Sequence, residues 1–453
     1  METVIIETMK RWVILFLLAG VFHSAYAWRK TYSLGFDGTM YSVRETSDGS
    51  YVVAGTVTAD TVPGNYELLL LKADSVGDTI WTRKYGGAGN DEGRCIRQVS
   101  DSGYIIVGSV DGVEYSPGKL WLLKTDAKGD TVWTKRYGYM FGEDEGYWVE
   151  ETSDGGYIIT GTCNPTGGMN NRLWLLKTDA EGDTVWTHKY TICSHGFCVR
   201  GTKDSGYILA SPLGLIKTDS MGDTLWTYRF VAQESSVCLA SDGGYVFTAT
   251  TWGSFGRRDI FFIKTDTDGD SIWGHSWGGV DEDYSYEVQQ TNDGGYIIVG
   301  DTRSFGEARV NVWLLKTDVN GDTTWTRILG AGYGRSVQQT TDGGYIICGG
   351  LTLIKTDSLG YAGVGEQPSP VTHQPDWQVI SPIGQEVVLR YHDKPGGFHA
   401  KIYDISGKKC DECHSNLTSG TLEWGEGMSR GVYFIQEIKR GSGEKVSRVI
   451  LLH

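Results

Sequence analysis

The stretch GRCIRQVSDSGYIIVGSVDGVEYSPGKLWLLKTDAKGDTVWTKRY, residues 93–137, decides how this chain folds. It contains four runs, GRCIRQV, YIIVGSV, LWLLKTD and TVWTKRY. Each alternates or runs apolar over about 5–7 residues and is bounded by glycine and aspartate, as strands are. The turn at Asp101 joins the first run to the second, where glycine tolerates φ > 0 in a tight hairpin. The turn T-D-x-x-G-D-T joins the third run to the fourth. One such unit is a four-stranded meander.

The unit recurs along the chain. Turns of the type D-G-G-Y begin at Asp48, Asp101, Asp154, Asp204, Asp242, Asp293 and Asp342. Variants of LLKTD place Lys72, Lys124, Lys177, Lys217, Lys264, Lys316 and Lys355. The pattern G-D-T-x-W places Trp81, Trp133, Trp186, Trp226, Trp273 and Trp325, one fewer than the other two motifs. The last repeat stops after IKTDSLG at 354–360, while Trp28-Arg29-Lys30-Thr31-Tyr32 matches Trp81-Thr82-Arg83-Lys84-Tyr85. The first strand therefore supplies the missing last strand of the seventh repeat. That borrowing closes a ring and removes two unpaired edges. An open solenoid would give the matching ends no reason to exist. The expected fold is all-β: a seven-bladed β-propeller over 28–361, closed by the N-terminal strand, with the repeated tryptophans packed between blades.

Composition agrees. The 453 residues include 63 glycines, about twice the usual share, with 16 tryptophans, 25 tyrosines and only 9 prolines. So many rings need a core, which excludes disorder. A formal net charge of −15 argues against nucleic acid or an anionic membrane surface as partner. At the N-terminus, Lys10 and Arg11 precede the apolar run WVILFLLAGVF, and Ala25-Tyr26-Ala27 fits a cleavage site. Residues 1–27 thus read as a secretory signal, with Met1 or Met9 as the start. The run falls short of the ~20 apolar residues of a membrane span, and no other segment could span, so no transmembrane segment is expected in the mature chain. Residues 362–375 form a glycine- and proline-containing linker, and 376–453 read as short strands of a small β-sandwich.

The two conserved turns share one end of each blade. The variable links share the other, which marks that face for binding. Its loops carry the carboxylates Asp91, Glu92, Glu143, Asp144, Glu145, Asp281, Glu282 and Asp283. They could hold calcium or accept hydrogen bonds from sugar hydroxyls; the favoured reading is that they solvate the face and cap turns. The fourth and seventh blades have short links there, SPLGL and GGLTL, leaving two low walls. On the first strands, which line the channel, Arg44, Arg97 and Arg200 recur at one position, with Glu150 in the third blade. The arginines could take a carboxylate bidentately or pair with Glu45, Glu150 and Glu151; pairing is favoured. Trp148, Trp252 and Trp277 are the off-pattern propeller tryptophans. Asp266-Thr267-Asp268-Gly269-Asp270 begins like a calcium loop but lacks the closing glutamate, so it reads as a turn. Cys410-Asp411-Glu412-Cys413-His414 matches the haem c pattern C-x-x-C-H. Its strand–turn–strand setting argues against haem. Cys193 and Cys198 are the best candidates for a disulfide if the protein is exported.

Three family resemblances bear on these readings. The T-D-x-x-G-D-T-x-W turn resembles the Asp-box of sialidases, with aspartate and tryptophan each one position off. It is also similar to the tryptophan-docking repeat of pyrroloquinoline quinone dehydrogenases, which have eight blades. Neither catalytic apparatus carries over. In the tail, KIYDISGK (401–408, with Tyr403, Asp404 and Gly407), then Gly431-Val432-Tyr433-Phe434-Ile435, a basic stretch and the terminal Val449-Ile450-Leu451-Leu452 resemble the type A C-terminal sorting domain of the type IX secretion system. Ser381-Pro382-Ile383 departs from the asparagine-proline pair frequent in that family. The resemblance implies a Gram-negative source, the outer-membrane secretion machinery as partner, and a secreted or surface-held product. The expected function is an exported, non-enzymatic binding or adhesion propeller for a glycan or protein ligand. The alternative is an extracellular hydrolase or lyase that uses acidic residues of the variable face on polysaccharide.

Overall fold

The computed structural model describes residues 27–34, 37–59, 65–111, 118–139, 142–166, 171–191, 194–252 and 257–363, and in the tail 377–379, 383–384, 387–391, 397–404, 408–417, 420–425, 427–429, 431–437 and 446–451. The expected signal (1–27) falls outside these except for its last residue, as do most of the linker and Gly407.

Seven four-stranded antiparallel sheets follow one another along the chain. The first comprises Gly38–Glu45, Tyr51–Thr58, Tyr66–Ala73 and Thr79–Tyr85 in order. The seventh takes Ser336–Gln339, Tyr345–Gly349 and Thr352–Thr356 and borrows Trp28–Thr31 as its outer strand, with Trp28 opposite Lys355 and Thr31 opposite Thr352. The first strands of successive sheets touch one another around the ring, including the first blade against the seventh. They are the innermost strands and surround the axis. The fold is the seven-bladed propeller expected from the repeats.

Each blade is stitched to the next by one device. The fourth-strand tryptophan lies against the tyrosine that opens the next blade's second strand: Trp28–Tyr51, Trp81–Tyr104, Trp133–Tyr157, Trp186–Tyr207, Trp226–Tyr245, Trp273–Tyr296 and Trp325–Tyr345, with centroids 5.8–6.2 Å apart. The same ring covers a glycine in the next blade's third turn. Gly182 sits at φ +81°, and a Cβ there would come within 2.9 Å of Trp133. Glycine is required twice over, for the left-handed backbone and for the close approach.

A second device holds each blade together. The buried third-strand lysine forms an ion pair with the aspartate of the first turn. Lys72–Asp48, Lys124–Asp101, Lys177–Asp154, Lys217–Asp204, Lys316–Asp293 and Lys355–Asp342 lie 2.6–2.9 Å apart, and Lys264 pairs with Asp242 in the same way. The two most regular motifs of the sequence are thus partners, which their spacing does not reveal.

The tail forms a three-stranded and a five-stranded sheet around its own core of Val387, Leu389, Tyr391, Phe398, Ala400, Ile402, Trp424, Tyr433 and Ile435. It is a small β-sandwich. Tyr403 and Asp404 end Phe398–Asp404, opposite Phe434 and Tyr433 of Gly431–Glu437. Gly431 and Val432 pair in turn with Leu451 and Ile450 of the last strand. Among the described residues, no helix is long and apolar enough to cross a membrane.

Candidate functional site

The channel is filled in two tiers, both built from the innermost strands. The lower tier contains the three arginines. Arg44 makes an ion pair with Glu287 at 2.6 Å and donates to Ser336 Oγ at 3.0 Å. Ser336 Oγ in turn donates to Glu287 at 2.7 Å. Arg200 pairs with Glu150 and donates through Nε to the Val237 carbonyl at 3.1 Å. Trp148 is buried against all three guanidinium groups, with Arg97 4.4 Å, Arg200 4.5 Å and Arg44 5.9 Å from its ring centroid. Arg97 Nη1 donates to the Ile96 carbonyl at 2.7 Å, whereas its buried Nη2 has no hydrogen-bond partner. Pairing within the channel is thus found for Arg44 and Arg200. Arg44's partner is Glu287, which sequence reading did not single out. Glu45 and Glu151 instead pin neighbouring blades by accepting from Thr341 N at 2.7 Å and Ser100 N at 2.9 Å.

The upper tier was missed in the sequence. It lies seven residues before each turn aspartate and reads Tyr41, Arg94, Tyr147, Phe197, Ser235, Tyr286 and Arg335 around the ring. In four blades this residue is a β-bulge: the register shifts between Met40 and Ser42, Gly93 and Cys95, Gly146 and Trp148, and Ser285 and Glu287. A bulge re-aims its side chain. The result is a collar of rings and guanidinium groups near the variable end of the channel. Arg94 lies 4.5 Å over Tyr41 and 5.9 Å from Tyr147; Arg335 lies 4.0 Å over Tyr286. Tyr147 meets Phe197 edge-on at 5.7 Å, and His195 stacks on Phe197 at 5.8 Å. The fifth blade has only Ser235 here, and neighbouring Glu234 reaches to 3.9 Å from Arg335. Burial, opposed by Arg335, pushes the Glu234 carboxyl up to about 7. Burial likewise raises Asp301 to about 6.

The rim carboxylates divide into two groups. Asp91, Asp144 and Asp283 are fully buried and tie down the inter-blade links. Asp91 accepts from Gly87 N at 2.6 Å, Asp144 from Tyr139 N at 2.7 Å, and Asp283 from Gly279 N at 2.8 Å. Glu92 pairs with Arg94, Glu145 accepts from Tyr147, Glu282 pairs with Arg303, and Asp281 pairs with Arg257 at 3.1 Å; Glu143 is exposed. Trp252 is 58% exposed on the rim, while Trp277 packs on Phe262 and stacks with His275. The low walls are present: Ser211 and Gly214 flank a two-residue turn in the fourth blade, as do Gly349 and Thr352 in the seventh.

No group of three or more His, Cys, Asp or Glu side chains converges to hold a metal among the described residues. Asp266 caps its own turn, accepting from Asp268 N at 3.0 Å and Asp270 N at 2.8 Å. Cys410, Cys413 and His414 lie on the strand Lys409–Ser415. Residues three apart on a strand leave opposite faces. Accordingly Cys410 is exposed while Cys413 packs against the sandwich core, an arrangement that does not fit one haem bridging both thiols. Cys198 is a buried thiol donating to Val237 O at 3.5 Å, and Cys193, its candidate partner, lies outside the described residues.

No family model matches the chain. In sequence it is similar to the regulatory protein FlaEY of Caulobacter vibrioides, 28% identical over 199 residues, covering 36% of this chain and 21% of that protein's length. In structure it is similar to the Pan2 WD40 domain of Neurospora crassa, with TM-score 0.51, 9% identity and coverage of 74% and 97% of the two chains. It also matches a chain described as the extracellular domain of a hybrid two component system from B. thetaiotaomicron, with TM-score 0.47, 12% identity and coverage of 93% of this chain and 58% of that one. The WD40 likeness agrees with the propeller fold.

Proposed function

We propose that this chain is an exported, non-enzymatic binding propeller that takes a glycan ligand at the mouth of its channel. The observation that carries the reading is the collar of Tyr41, Tyr147, Phe197 and Tyr286 interleaved with Arg94 and Arg335. Flat rings offer apolar faces to a sugar, and the arginine–glutamate pairs beside them offer directional donors and acceptors to its hydroxyls. Exposed Trp252 extends the platform onto the rim. Export rests on the N-terminal signal pattern. Delivery through the outer-membrane secretion machinery rests on the tail's resemblance to a type A sorting domain, which would leave the product at the cell surface or in the medium.

The test is a glycan array probed with the mature chain, followed by titration of Tyr147→Ala and Tyr286→Ala. At least a tenfold loss of affinity in each variant is expected, about 1.4 kcal/mol. Undiminished binding by the double variant would exclude the collar. Deleting residues 376–453 should retain the protein inside the cell. Its unchanged appearance outside would count against the sorting role.

One observation favours a second reading, an extracellular glycosidase. Burial raises the Glu234 carboxyl to about 7, the direction a general acid needs. Polysaccharide cleavage by the wild type that disappears in Glu234→Gln would establish it; cleavage that survives the substitution would remove Glu234 from that role.

A further inference from the structure

The lower tier has an unbalanced charge. Three guanidinium groups, on Arg44, Arg97 and Arg200, share it with two carboxylates, on Glu287 and Glu150. Both carboxylates are committed. Glu287 takes the Arg44 ion pair, the Ser336 hydroxyl and Val337 N at 3.2 Å. Glu150 takes Arg200 and the Trp148 indole N–H at 3.4 Å. Arg97 has only a backbone carbonyl, at Nη1, and one face against Trp148. In the ring at this position it stands between Arg44 and Glu150, the latter already taken by Arg200, and the remaining members, Cys238, Gln289 and Gln338, supply no charge. Leaving a guanidinium in such a place without a counter-charge is costly. Burial and the repulsion of Arg44 and Arg200 both act to weaken its hold on its proton. The residue as a whole keeps partial exposure to the channel, while Nη2 itself is covered, so a ligand must part the side chains over it to reach that donor.

We propose that the channel binds one singly charged carboxylate at Arg97. A single negative charge brings the tier to three of each sign. The planar carboxylate matches the free edge of the guanidinium, whose Nη2 is the buried donor without a partner. The Trp148 ring fixes that edge by covering the face of the group. Arg44 and Arg200 contribute positive potential but no free donor pair. This site lies below the collar and does not depend on the glycan reading. A free small acid and the acid group of a sugar entering from the mouth would present the same chemistry.

The test uses the full mature chain in sodium acetate, in sodium glucuronate, and in sodium chloride at equal ionic strength, read by thermal unfolding and by equilibrium dialysis of labelled acetate. Expected are one acetate per chain and a Tm rise of about 2 °C over chloride at saturation. Glucuronate should match acetate if the source is a free acid, and bind more than tenfold tighter if it is a sugar acid held also by the collar. Arg97→Met should fold, lose the acetate response and be at least as stable as wild type in chloride. If it fails to fold, Arg97→Lys, which keeps the charge but loses the fork, should bind acetate at least tenfold more weakly. No acetate response in the wild type beyond that to chloride, or a response undiminished in the Arg97 variants, would overturn the proposal.

Discussion

In every blade an exposed aspartate neutralises an ammonium that the third strand has buried. In the third blade the Lys177 side chain is 6% exposed and that of Asp154 is 63% exposed. The asymmetry gives a directional prediction. Asp154→Ala strands the buried cation and also removes the acceptor for Thr152 Oγ1 and Gly156 N. It should cost on the order of 3 kcal/mol. Lys177→Met leaves a carboxylate that water can solvate and should cost under about 1 kcal/mol. Urea titration of both variants checks the order. The hydrogen bond from Lys177 pulls the Asp154 carboxyl down to about 2. At Asp204, burial acts upward but Lys217 outweighs it, again to about 2. A depressed carboxyl stabilises the fold above its unfolded pKa of about 4 and ceases to as the pH falls through about 2. The aspartates of the other five pairs are lowered too, so acid unfolding should concentrate below about pH 4. Glu234 has the opposite sign. Its raised carboxyl is protonated when folded but ionised when unfolded between about pH 4 and 7, so stability should rise as the pH drops from 8 to 5. Glu234→Gln should remove the part of that rise that sets in near pH 7, leaving the part that Asp301, raised to about 6, adds at lower pH and leaving the acid limb intact; an undiminished rise near pH 7 in the variant would assign it to another group.

At the scale of the strand, the closure is the testable element. Trp28–Thr31 contributes both a ladder to Thr352–Thr356 and the ring that rests on Tyr51 of the first blade. Removing residues 27–31 would expose the third-strand edge of the seventh blade to other chains. Light scattering should then show dimers or larger species where the intact chain is monodisperse. A milder probe is Gly182→Ala, which forces a Cβ into Trp133 at a positive φ; it should cost about 1–3 kcal/mol and leave the other six seams intact. The closing strand was legible because Trp28 and Tyr32 repeat the fourth-strand tryptophan and tyrosine four positions apart, with two basic residues and a threonine between them as in Trp81–Tyr85. The collar was not, because its position holds tyrosine, arginine, phenylalanine and serine in different blades. Repetition reveals what the scaffold needs, and a ligand-facing position in a ring has no reason to repeat. The bulges that turn Tyr41, Arg94, Tyr147 and Tyr286 also break the alternation by which strands are read. Glu287 escaped for the same reason, since Ser42, Ser236 and Ser336 occupy its place in three other blades.

The whole molecule joins a ring whose apolar contacts run across the seams between blades to a sandwich with its own core. The largest cluster runs from Cys95 and Ile105 in the second blade to Phe247 and Ile263 in the fifth without interruption. No blade in that run has a core of its own, so none can unfold while its neighbours persist. A closed ring compounds this, because losing one blade strips both flanking seams. The propeller should therefore unfold in a single cooperative step. The sandwich packs its core from residues 387–435, drawing on none of the seams. A chain ending at residue 361 should keep the propeller's Tm within about 2 °C of its value in the full-length protein. The full-length protein should show that transition plus a second, smaller one that Trp424→Ala selectively lowers, since Trp424 is a core residue of the sandwich packed on Tyr433 at 5.2 Å. Calorimetry of the three proteins distinguishes the outcomes. A fall of more than about 5 °C on truncation would mean that the tail braces the ring, and the two units would then have to be treated as one folding body.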